Sequence, residues 1–394
     1  MDDDIAAGIS AYFVELPDPR RDHTRRHKLV DIVTMAICAV ICGADDWEEV
    51  AFFAEVREEW FGTFLELPGG IPSHDTFWRV FRALDTKRFE ACFRAWTTSL
   101  RTLVEGEVVA EVVAIDGKQL RRSHDACHGV HALQLVSAWA TRSGLMLGQR
   151  RLESKENEIV AVPELLAELE VAGCLVTTDA MSCQVKTAQA VLDRDADYLF
   201  ALKGNQPALH DETIALFDDL AASDYKAYAY TYSKEVTDGH GRIEIRQAWV
   251  ISDAQWLRLL PSTERWPQLV ALIKIESERR IPASEPDGAE QRSREHRYYI
   301  SSRKLNAAQA IDATRAHWRI ENSLHWVLDM AFREDEARLR KENGAENFAI
   351  LRRMALSLLK QDTTKKLGIK NKRLLAGWDQ KYLLHLLSLL VKED

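Results

Sequence analysis

The sequence has no hydrophobic run long enough to cross a membrane. Its longest apolar stretch, Ile32 to Cys42, is far shorter than the roughly 20 residues that a spanning helix needs, and charged residues follow it. The N-terminus, Met1 to Asp4, is acidic, whereas a secretory signal peptide begins with basic residues. We therefore expect a cytoplasmic protein, whose 394 residues allow two or three domains.

Cysteine is scarce, and its spacing argues against a structural metal site. The chain has 6 cysteines and no Cys-x-x-Cys pair. The segment from His124 to His131 combines Cys127 with histidines, but its spacing matches no standard zinc module. A polar loop is therefore favoured over a zinc site there.

Positive charge is also in deficit, because 52 lysines and arginines face 61 aspartates and glutamates, a net charge of -9. Simple nucleic-acid-binding proteins are usually basic, although binding depends on local patches and not on the sum. One basic run lies near the C-terminus. It contains Lys365, Lys366, Lys370, Lys372, Arg373 and Lys381. A DNA-binding surface and an ordinary solvated helical face explain this run equally well.

The first 105 residues have the pattern of a helical domain. Apolar residues recur at helical spacing between 29 and 60, Gly43 interrupts them, and Asp45-Asp46 marks a new helix start. Ser73 is a suitable N-cap for a further helix that carries Arg79 and Arg82. This helix could belong to a helix-turn-helix DNA reader or to a plain bundle. The bundle is slightly favoured, since acidic residues dominate the surrounding helices.

The pattern becomes that of an α/β protein after about residue 106. Valine-rich and alternating segments predict strands, separated by two helical segments. In order they are strands at 107–115, 133–141 and 145–152, a helix at 159–169, a strand at 174–178, a helix at 184–194 and a strand at 198–202. This is the ribonuclease H-like order, in which helices cover a mixed sheet.

A mainly β segment separates this frame from the last predicted helices. After a helix at 207–220, strand-like runs occupy 228–236, 242–252, 268–276 and 296–301, and helices follow at 307–332 and 346–360. We therefore assign a helical, candidate DNA-binding domain to 1–105 and a catalytic domain to 106–360. The β-rich insertion lies at about 206–300, and a basic helical tail occupies 361–394.

Three acidic residues are the candidate catalytic centre. Asp116 and Asp179 end two predicted strands, and Glu321 lies on a predicted helix that can pack across the same sheet edge. Clustered carboxylates repel one another unless a cation neutralises them, and such hard oxygen ligands suit Mg²⁺ or Mn²⁺. Two such ions roughly 3.5–4 Å apart can activate an attacking hydroxyl and stabilise a leaving oxygen at phosphorus.

The helix around Glu321 carries further polar residues. His317, Glu321, His325 and Asp329 recur every four residues, so they are expected to share one face. The buried side is then expected to consist of Trp318, Leu324, Val327 and Leu328. A solvated polar stripe is the alternative, but a face directed at metal and phosphate is favoured.

Polar residues also follow the predicted strands. Lys118, Arg121 and Arg122 come after Asp116, and Lys203, Asn205 and Gln206 come after the strand that ends at Leu202. Such side chains could hold a DNA backbone, and the lysine and two amides of the second group could instead hold an unpaired base. Glu158 could add a carboxylate to the site, but a helix-capping role is favoured.

These residues resemble the H-repeat-associated transposases, insertion-sequence enzymes of the DDE class. Nine segments in order carry the resemblance. They are Asp18-Pro-Arg20, Ala36 to Asp45, Gly70 to Phe77, Ala114 to Lys118, Lys155 to Ile159, Thr178 to Met181, Leu202 to Gln206, His240 to Glu244 and His317 to Asp329.

The resemblance implies a ribonuclease H-like domain, with Asp116, Asp179 and Glu321 as ligands of two Mg²⁺ or Mn²⁺ ions, and a β-rich insertion before the glutamate. Related DDE transposases carry Tyr-x2-Arg-x3-Glu-x6-Lys around the last acid. This chain departs from that pattern, with Thr314, His317 and Leu328 at the three flanking positions. His317, Arg319 and His325 are the candidate replacements for the missing DNA contacts.

The sequence therefore predicts a transposase that cuts the ends of its element and joins them to target DNA. Its partner is double-stranded DNA, and cutting two ends in one event argues for a homodimer on that DNA. A domesticated or inactive DNA-binding copy is the alternative, but all three acids are intact. A different ribonuclease H-like nuclease is a third and less favoured interpretation.

Overall fold

The structure is a computed structural model. It describes residues 8, 11–104, 111–124, 129, 131–153, 157–239, 241–282 and 290–389. Cys127, His128, Lys155, His240, the predicted start of the first strand and most of the loop predicted at 281–291 lie outside these ranges. The chain divides into two compact units. The helical unit comprises 1–108, 117–156 and 320–394, and the sheet unit comprises 109–116 and 157–319.

The helices and strands follow the order predicted from the sequence. In chain order they are α1 (Leu29–Ile41), α2 (Trp47–Val56), α3 (Glu58–Phe61), α4 (His74–Ala83), α5 (Thr86–Val104), β1 (Val112–Gln119), β2 (Gln134–Ala140), β3 (Leu145–Arg151), α6 (Glu158–Ala167), β4 (Leu175–Thr178), α7 (Val185–Leu192), β5 (Asp197–Leu202), α8 (Pro207–Ala222), β6 (Thr231–Gly239), β7 (Arg242–Ile251), α9 (Ala254–Leu257), β8 (Ala271–Ile281), β9 (Gln291–Ser301), α10 (Ala307–Ile320), a π-helical turn (Glu321–His325), α11 (Trp326–Phe332), α12 (Gly344–Gln361), α13 (Ile369–Trp378) and α14 (Gln380–Ser388).

The predicted N-terminal helices are confirmed, and they belong to the helical unit. Gly43, with φ +117°, ends the first of them, and the Asp46 carboxylate caps α2 by accepting a hydrogen bond from the Glu49 backbone N–H at 2.9 Å. Helix α1 is buried along nearly its whole length and packs against α12. The N-terminal helices therefore share their core with a helix from the other end of the chain.

The sheet unit contains a large mixed sheet, as predicted. Its strand order is β1-β4-β5-β9-β8-β7-β6. The pairs β1–β4 and β4–β5 are parallel, and the remaining pairs are antiparallel. Strand β9 pairs directly with β5, beginning at Leu199 opposite Ser301. The predicted β-rich insertion thus continues the same sheet.

Helix α10 is fixed to the insertion strands by an apolar core. Ala310 and Ile311 of the helix pack with Ile273, Ile275 and Tyr299 of β8 and β9. All five side chains are buried. Since α10 leads directly to Glu321, the insertion fixes the start of the helix that bears this residue.

Only part of the C-terminal basic run is exposed to solvent. Lys372 and Arg373 are buried, because Lys372 Nζ donates to the Leu359 carbonyl at 3.0 Å and Arg373 Nη2 donates to the Val40 carbonyl at 2.9 Å. The other four residues, Lys365, Lys366, Lys370 and Lys381, are exposed. For two of the six positions, the expectation of an open basic surface is therefore wrong.

Within the described ranges, the structure has no helix that is both long and apolar enough to span a membrane.

Candidate metal and DNA site

Asp116 and Asp179 leave neighbouring parallel strands at the same level. Ile115 of β1 pairs with Thr178 of β4. Asp116 is the next residue of β1, and Asp179 is the first residue after β4. Asp179 follows the end of β4, as predicted. Asp116 does not end its strand, because β1 continues to Gln119. Asp116 instead marks the point at which the β1–β4 pairing stops.

Two amide side chains stabilise the loop that follows Asp179. Asn205 Nδ2 donates to the Ala180 carbonyl at 2.5 Å, and Gln206 Nε2 donates to the Cys183 carbonyl at 3.0 Å. The Ser182 backbone N–H donates to Asp179 Oδ1 at 3.2 Å. The sequence predicts Asn205 and Gln206 as DNA contacts, but their amide nitrogens are engaged within the protein. Lys203 and Asn205 are exposed, and Gln206 is half-buried.

A third carboxyl group of the sheet unit, that of Glu158, lies near Asp179. Burial and the negative charge of Asp179 raise the pKa of Glu158. The residue lies in the first turn of α6, but Asn157 occupies the N-cap position. The Asn157 side chain makes no capping hydrogen bond, so the choice between a capping role and a metal-binding role of Glu158 stays a prediction.

His317 is attached to the strand that leads to Asp179. Its Nδ1 lies 3.0 Å from Thr177 Oγ1, two residues before the aspartate. Burial lowers the pKa of His317 to about 4, although the charge of Asp179 acts in the opposite direction. The imidazole is therefore neutral at pH 7. It can hold or orient a neighbouring group, but it does not offer a phosphate a positive charge.

Glu321 begins the π-helical turn and is exposed to solvent. The turn interrupts the single long helix predicted at 307–332. The predicted faces of that helix are also partly wrong, because the Trp318 side chain is 42% exposed whereas Leu324 and Leu328 are buried. The sequence pattern does not predict the π-helical turn, because polar residues that recur every four positions do not distinguish an α-helix from a π-helix.

Lys118, predicted as a DNA contact, belongs to an internal charge network of the helical unit. Its ammonium contacts Asp329 and lies 3.3 Å from Glu334, and its side chain is only 8% exposed. Glu334 also pairs with the buried Arg353 at 2.6 Å. Burial and the charges of Lys118 and Arg353 lower the pKa of His325 to about 4. His325 is therefore also neutral at pH 7.

The remaining predicted DNA contacts are exposed arginines. Arg121 and Arg122 follow β1, and Arg319 lies near the end of α10. Arg121 Nε lies 3.2 Å from Asp335. These three guanidinium groups are open to solvent and keep the charge that phosphate contacts need.

The chemistry of the donor set fits a hard divalent cation. Asp116 and Asp179 are adjacent in register, and Glu158 is close enough to Asp179 for repulsion that a cation would relieve. Among the described residues, no group of three or more His, Cys, Asp or Glu side chains already has metal-site geometry. The sheet unit thus supplies suitable ligands without a preassembled triad.

Comparison with known proteins identifies the family. A family model described as "Transposase DDE domain" matches residues 81–358, and one described as "DDE_Tnp_1-associated" matches residues 10–97. The chain belongs to the DDE transposase family. The predicted resemblance is therefore confirmed over most of its length.

The similarity of this DDE transposase family member to its relatives extends over nearly the whole chain. It is 39% identical to the candidate transposase YncI of Escherichia coli O157:H7, over 92% of this chain and 90% of that protein. It is 36% identical to the H repeat-associated candidate transposase YhhI of Escherichia coli K12, over 95% of this chain and 96% of that protein.

Among solved structures, this family member is similar to a piggyBac transposase synaptic complex with hairpin DNA determined by cryo-EM. The TM-score is 0.40 at 10% identity, covering 99% of this chain and 77% of that chain. A score this low does not establish a common fold.

Proposed function

We propose that the protein is an insertion-sequence transposase with a ribonuclease H-like catalytic centre formed by Asp116, Asp179 and Glu321. The observation that supports this most directly is the register of β1 and β4. Asp116 and Asp179 directly follow Ile115 and Thr178, which pair with each other. Glu321 is the third acid of the proposal. The order of elements along the chain also agrees with a ribonuclease H-like fold.

The three carboxylates would hold two Mg²⁺ or Mn²⁺ ions, as DDE domains use divalent metals. When bound, such ions polarise the attacking hydroxyl and offset the charge on the leaving oxygen. The protein supplies the geometry. Asn205 and Gln206 hold the loop after Asp179, and neutral His317 fixes the approach of α10 to β4 through Thr177. No covalent protein–DNA intermediate is required.

We further propose that DNA phosphates are contacted by Lys203, Arg121, Arg122 and Arg319, which are exposed. Lys118 and the two histidines would act differently. Lys118 is held within an ion-pair network, and neutral imidazoles cannot replace the arginine and lysine of related enzymes. In the proposal, His317 and His325 position the helix that bears Glu321.

A groove of about 450 Å³ in the sheet unit is a further candidate DNA surface. It lies on the insertion strands beside α10, with Arg279 and Arg315 more than one third exposed and Trp318 stacked on Arg297 at 4.6 Å. Five arginines and three glutamates line it, so the excess is positive in a chain whose net charge is -9. Such a surface suits the backbone of an element end.

The DNA partners in this proposal are the terminal repeats of the element and a target duplex. The helices at 1–105 and the exposed lysines after residue 361 remain candidates for binding DNA. Two copies would act together, because both ends must be cut in one event. A domesticated, inactive copy receives no support from any residue of the site, since all three acids are present.

The proposal is tested by DNA cleavage with matched variants. The substrate is a DNA fragment that carries the native flanks of the gene, incubated with Mg²⁺. We expect Asp116→Asn, Asp179→Asn and Glu321→Gln each to abolish strand cleavage while end binding in a gel shift changes less than about threefold, because only the metal ligands are removed.

Glu168→Gln serves as the control, since Glu168 is exposed at the end of α6 and lies outside the site. It should cleave like the unmodified protein. Normal cleavage by Glu321→Gln in Mg²⁺ would refute the assignment of the third acid. Unchanged cleavage in the presence of EDTA would refute the metal-dependent reaction.

A further inference from the structure

Two neighbouring helices of the helical unit expose large apolar side chains. Phe52 and Val56 on α2 are 68% and 66% exposed, and Trp378 at the end of α13 is 77% exposed with Leu374 one turn before it. A spacing of four residues places both members of each pair on one helix face. Each helix therefore presents an apolar pair to solvent, in which Leu374, at 39%, is the least exposed member.

Contacts at both ends of α2 show that the two helices are neighbours. At the start of α2, Arg373 of α13 donates to the Ala44 carbonyl at 3.1 Å and to Asp45 at 3.0 Å. Just after the end of α2, Arg57 donates to the Gly377 carbonyl at 2.9 Å. The apolar pairs thus belong to one region of the surface of a single unit.

The charges around the two apolar pairs are opposite in sign. Exposed Glu48, Glu55 and Glu59 flank Phe52 and Val56, whereas exposed Lys370 and Lys381 flank Leu374 and Trp378. Asp379 also lies on the basic side, but its carboxylate accepts a hydrogen bond from the Lys381 backbone N–H as the cap of α14. The surface is therefore acidic along one helix and basic along the next.

We propose that this surface binds a second copy of the same chain, with α2 of each copy against α13 of the other. A two-fold axis between adjacent acidic and basic helices brings unlike charges together on both sides. The four apolar side chains of each copy then lose their exposure to water, which favours association. Duplex DNA is a poor occupant, since the glutamates of α2 would repel its phosphates.

Sedimentation equilibrium of the full chain, without DNA or metal, tests this inference. We expect a monomer–dimer equilibrium between about 1 and 50 µM, and Trp378→Ala should weaken it about thirtyfold, as loss of a central aromatic contact does. Leu259→Ala is the matched control, because Leu259 is an exposed leucine of the sheet unit. It should leave the equilibrium unchanged.

Charge reversal gives a more specific test of how the copies pair. A chain with Lys370→Glu and Lys381→Glu should be monomeric, and so should a chain with Glu55→Lys and Glu59→Lys, because like charges then face each other. Mixing the two chains should restore a heterodimer, since each altered helix meets its complement. Far-UV circular dichroism of each variant checks that it folds.

Three results would overturn the inference. They are a monomer at every concentration, a Trp378→Ala protein that dimerises like the unmodified chain, and reversed-charge chains that do not associate when mixed. Because the measurement needs neither DNA nor metal, its failure leaves the proposed cleavage reaction unaffected. Loss of cleavage in the catalytic variants likewise says nothing about the dimer.

Discussion

Glu346 is a carboxyl group with an unusual environment outside the proposed site. It lies in the first turn of α12, and burial raises its pKa to about 7, although Arg151, at 3.8 Å, opposes the shift. The folded state therefore retains a proton that the unfolded chain has already lost above its ordinary pKa of 4.5. This single residue couples folding to pH.

The sign of the effect follows from that difference. Between pH 4.5 and about 7 the folded state binds more protons, so the free energy of unfolding falls as pH rises. We expect Glu346→Gln to abolish this contribution and to stabilise the protein by up to about 3 kcal/mol near pH 8. Urea denaturation at several pH values measures it.

The control for this prediction is Glu264→Gln, because Glu264 is exposed. It should follow the pH dependence of the unmodified protein. A Glu346→Gln protein that is less stable than the unmodified chain near pH 8 would show that the charged carboxylate stabilises the fold, contrary to the argument.

The sequence predicts which acids form the proposed catalytic site, but it does not show the surroundings of the neighbouring side chains. The spacing of His317 and His325 predicts contacts with metal and phosphate. Their neutrality arises from burial and from charges on distant segments, such as Lys118 and Arg353 beside His325. The sequence predicts Lys118 as a surface cation, but in the structure it lies beside Asp329 and Glu334, which are more than 200 residues away along the chain.

The π-helical turn at Glu321–His325 is the most specific local feature of the helix that carries the proposed third acid. A π-turn behaves as one extra residue in an α-helix, and such turns are frequent at functional sites. Here it begins at Glu321 itself. The turn therefore determines how Glu321 is oriented relative to α11 and its buried residues Leu328 and Phe332.

Removal of Ser323 should restore continuous α-helical hydrogen bonding and rotate Glu321 relative to α11 by about 100°. We expect the protein to fold, with an unchanged far-UV circular dichroism spectrum, but to cleave DNA at least about a hundredfold more slowly. Ser323→Ala keeps the length of the turn and should retain cleavage. Cleavage within about threefold of normal after the deletion would contradict this role of the turn.

Helices and strands with a regular pattern were predictable, whereas their pairing was not. The boundaries of β2, β3, α8 and α12 differ from the prediction by only a few residues. The continuation of β1 past Asp116 and the pairing of β5 with β9 were missed. The pairing of β5 with β9 joins residues distant in sequence, about 100 residues apart in the case of Leu199 and Ser301.

At the scale of the whole molecule, the chain passes between its two units several times. The helical unit is assembled from three segments, and α12 connects them. Asn347 of α12 donates to the Phe81 carbonyl at the end of α4 at 2.7 Å, and α1 packs along the same helix. The sequence pattern therefore changes near residue 105, but the helical core does not end there, because α12 is also part of it.

A fragment of residues 1–105 is accordingly expected not to fold alone. Without α12, the buried face of α1 is exposed to water, and thermal unfolding followed by circular dichroism should show no cooperative transition. Co-expression with residues 106–394 should restore a soluble complex with a cooperative transition. A sharp melting curve for the fragment alone would establish the N-terminal helices as an autonomous domain.

The direct pairing of β9 with β5 has a consequence for how this lineage can evolve. Strand β4, which leads to Asp179, lies next to β5, so no linker separates the insertion from the strands that carry the proposed catalytic aspartates. Excision of β6–β9 would turn β5 into a bare edge, open to intermolecular pairing. Natural variants can therefore lengthen or shorten the outer ends of these strands, but they are expected to inherit the insertion together with the strands of the proposed active site.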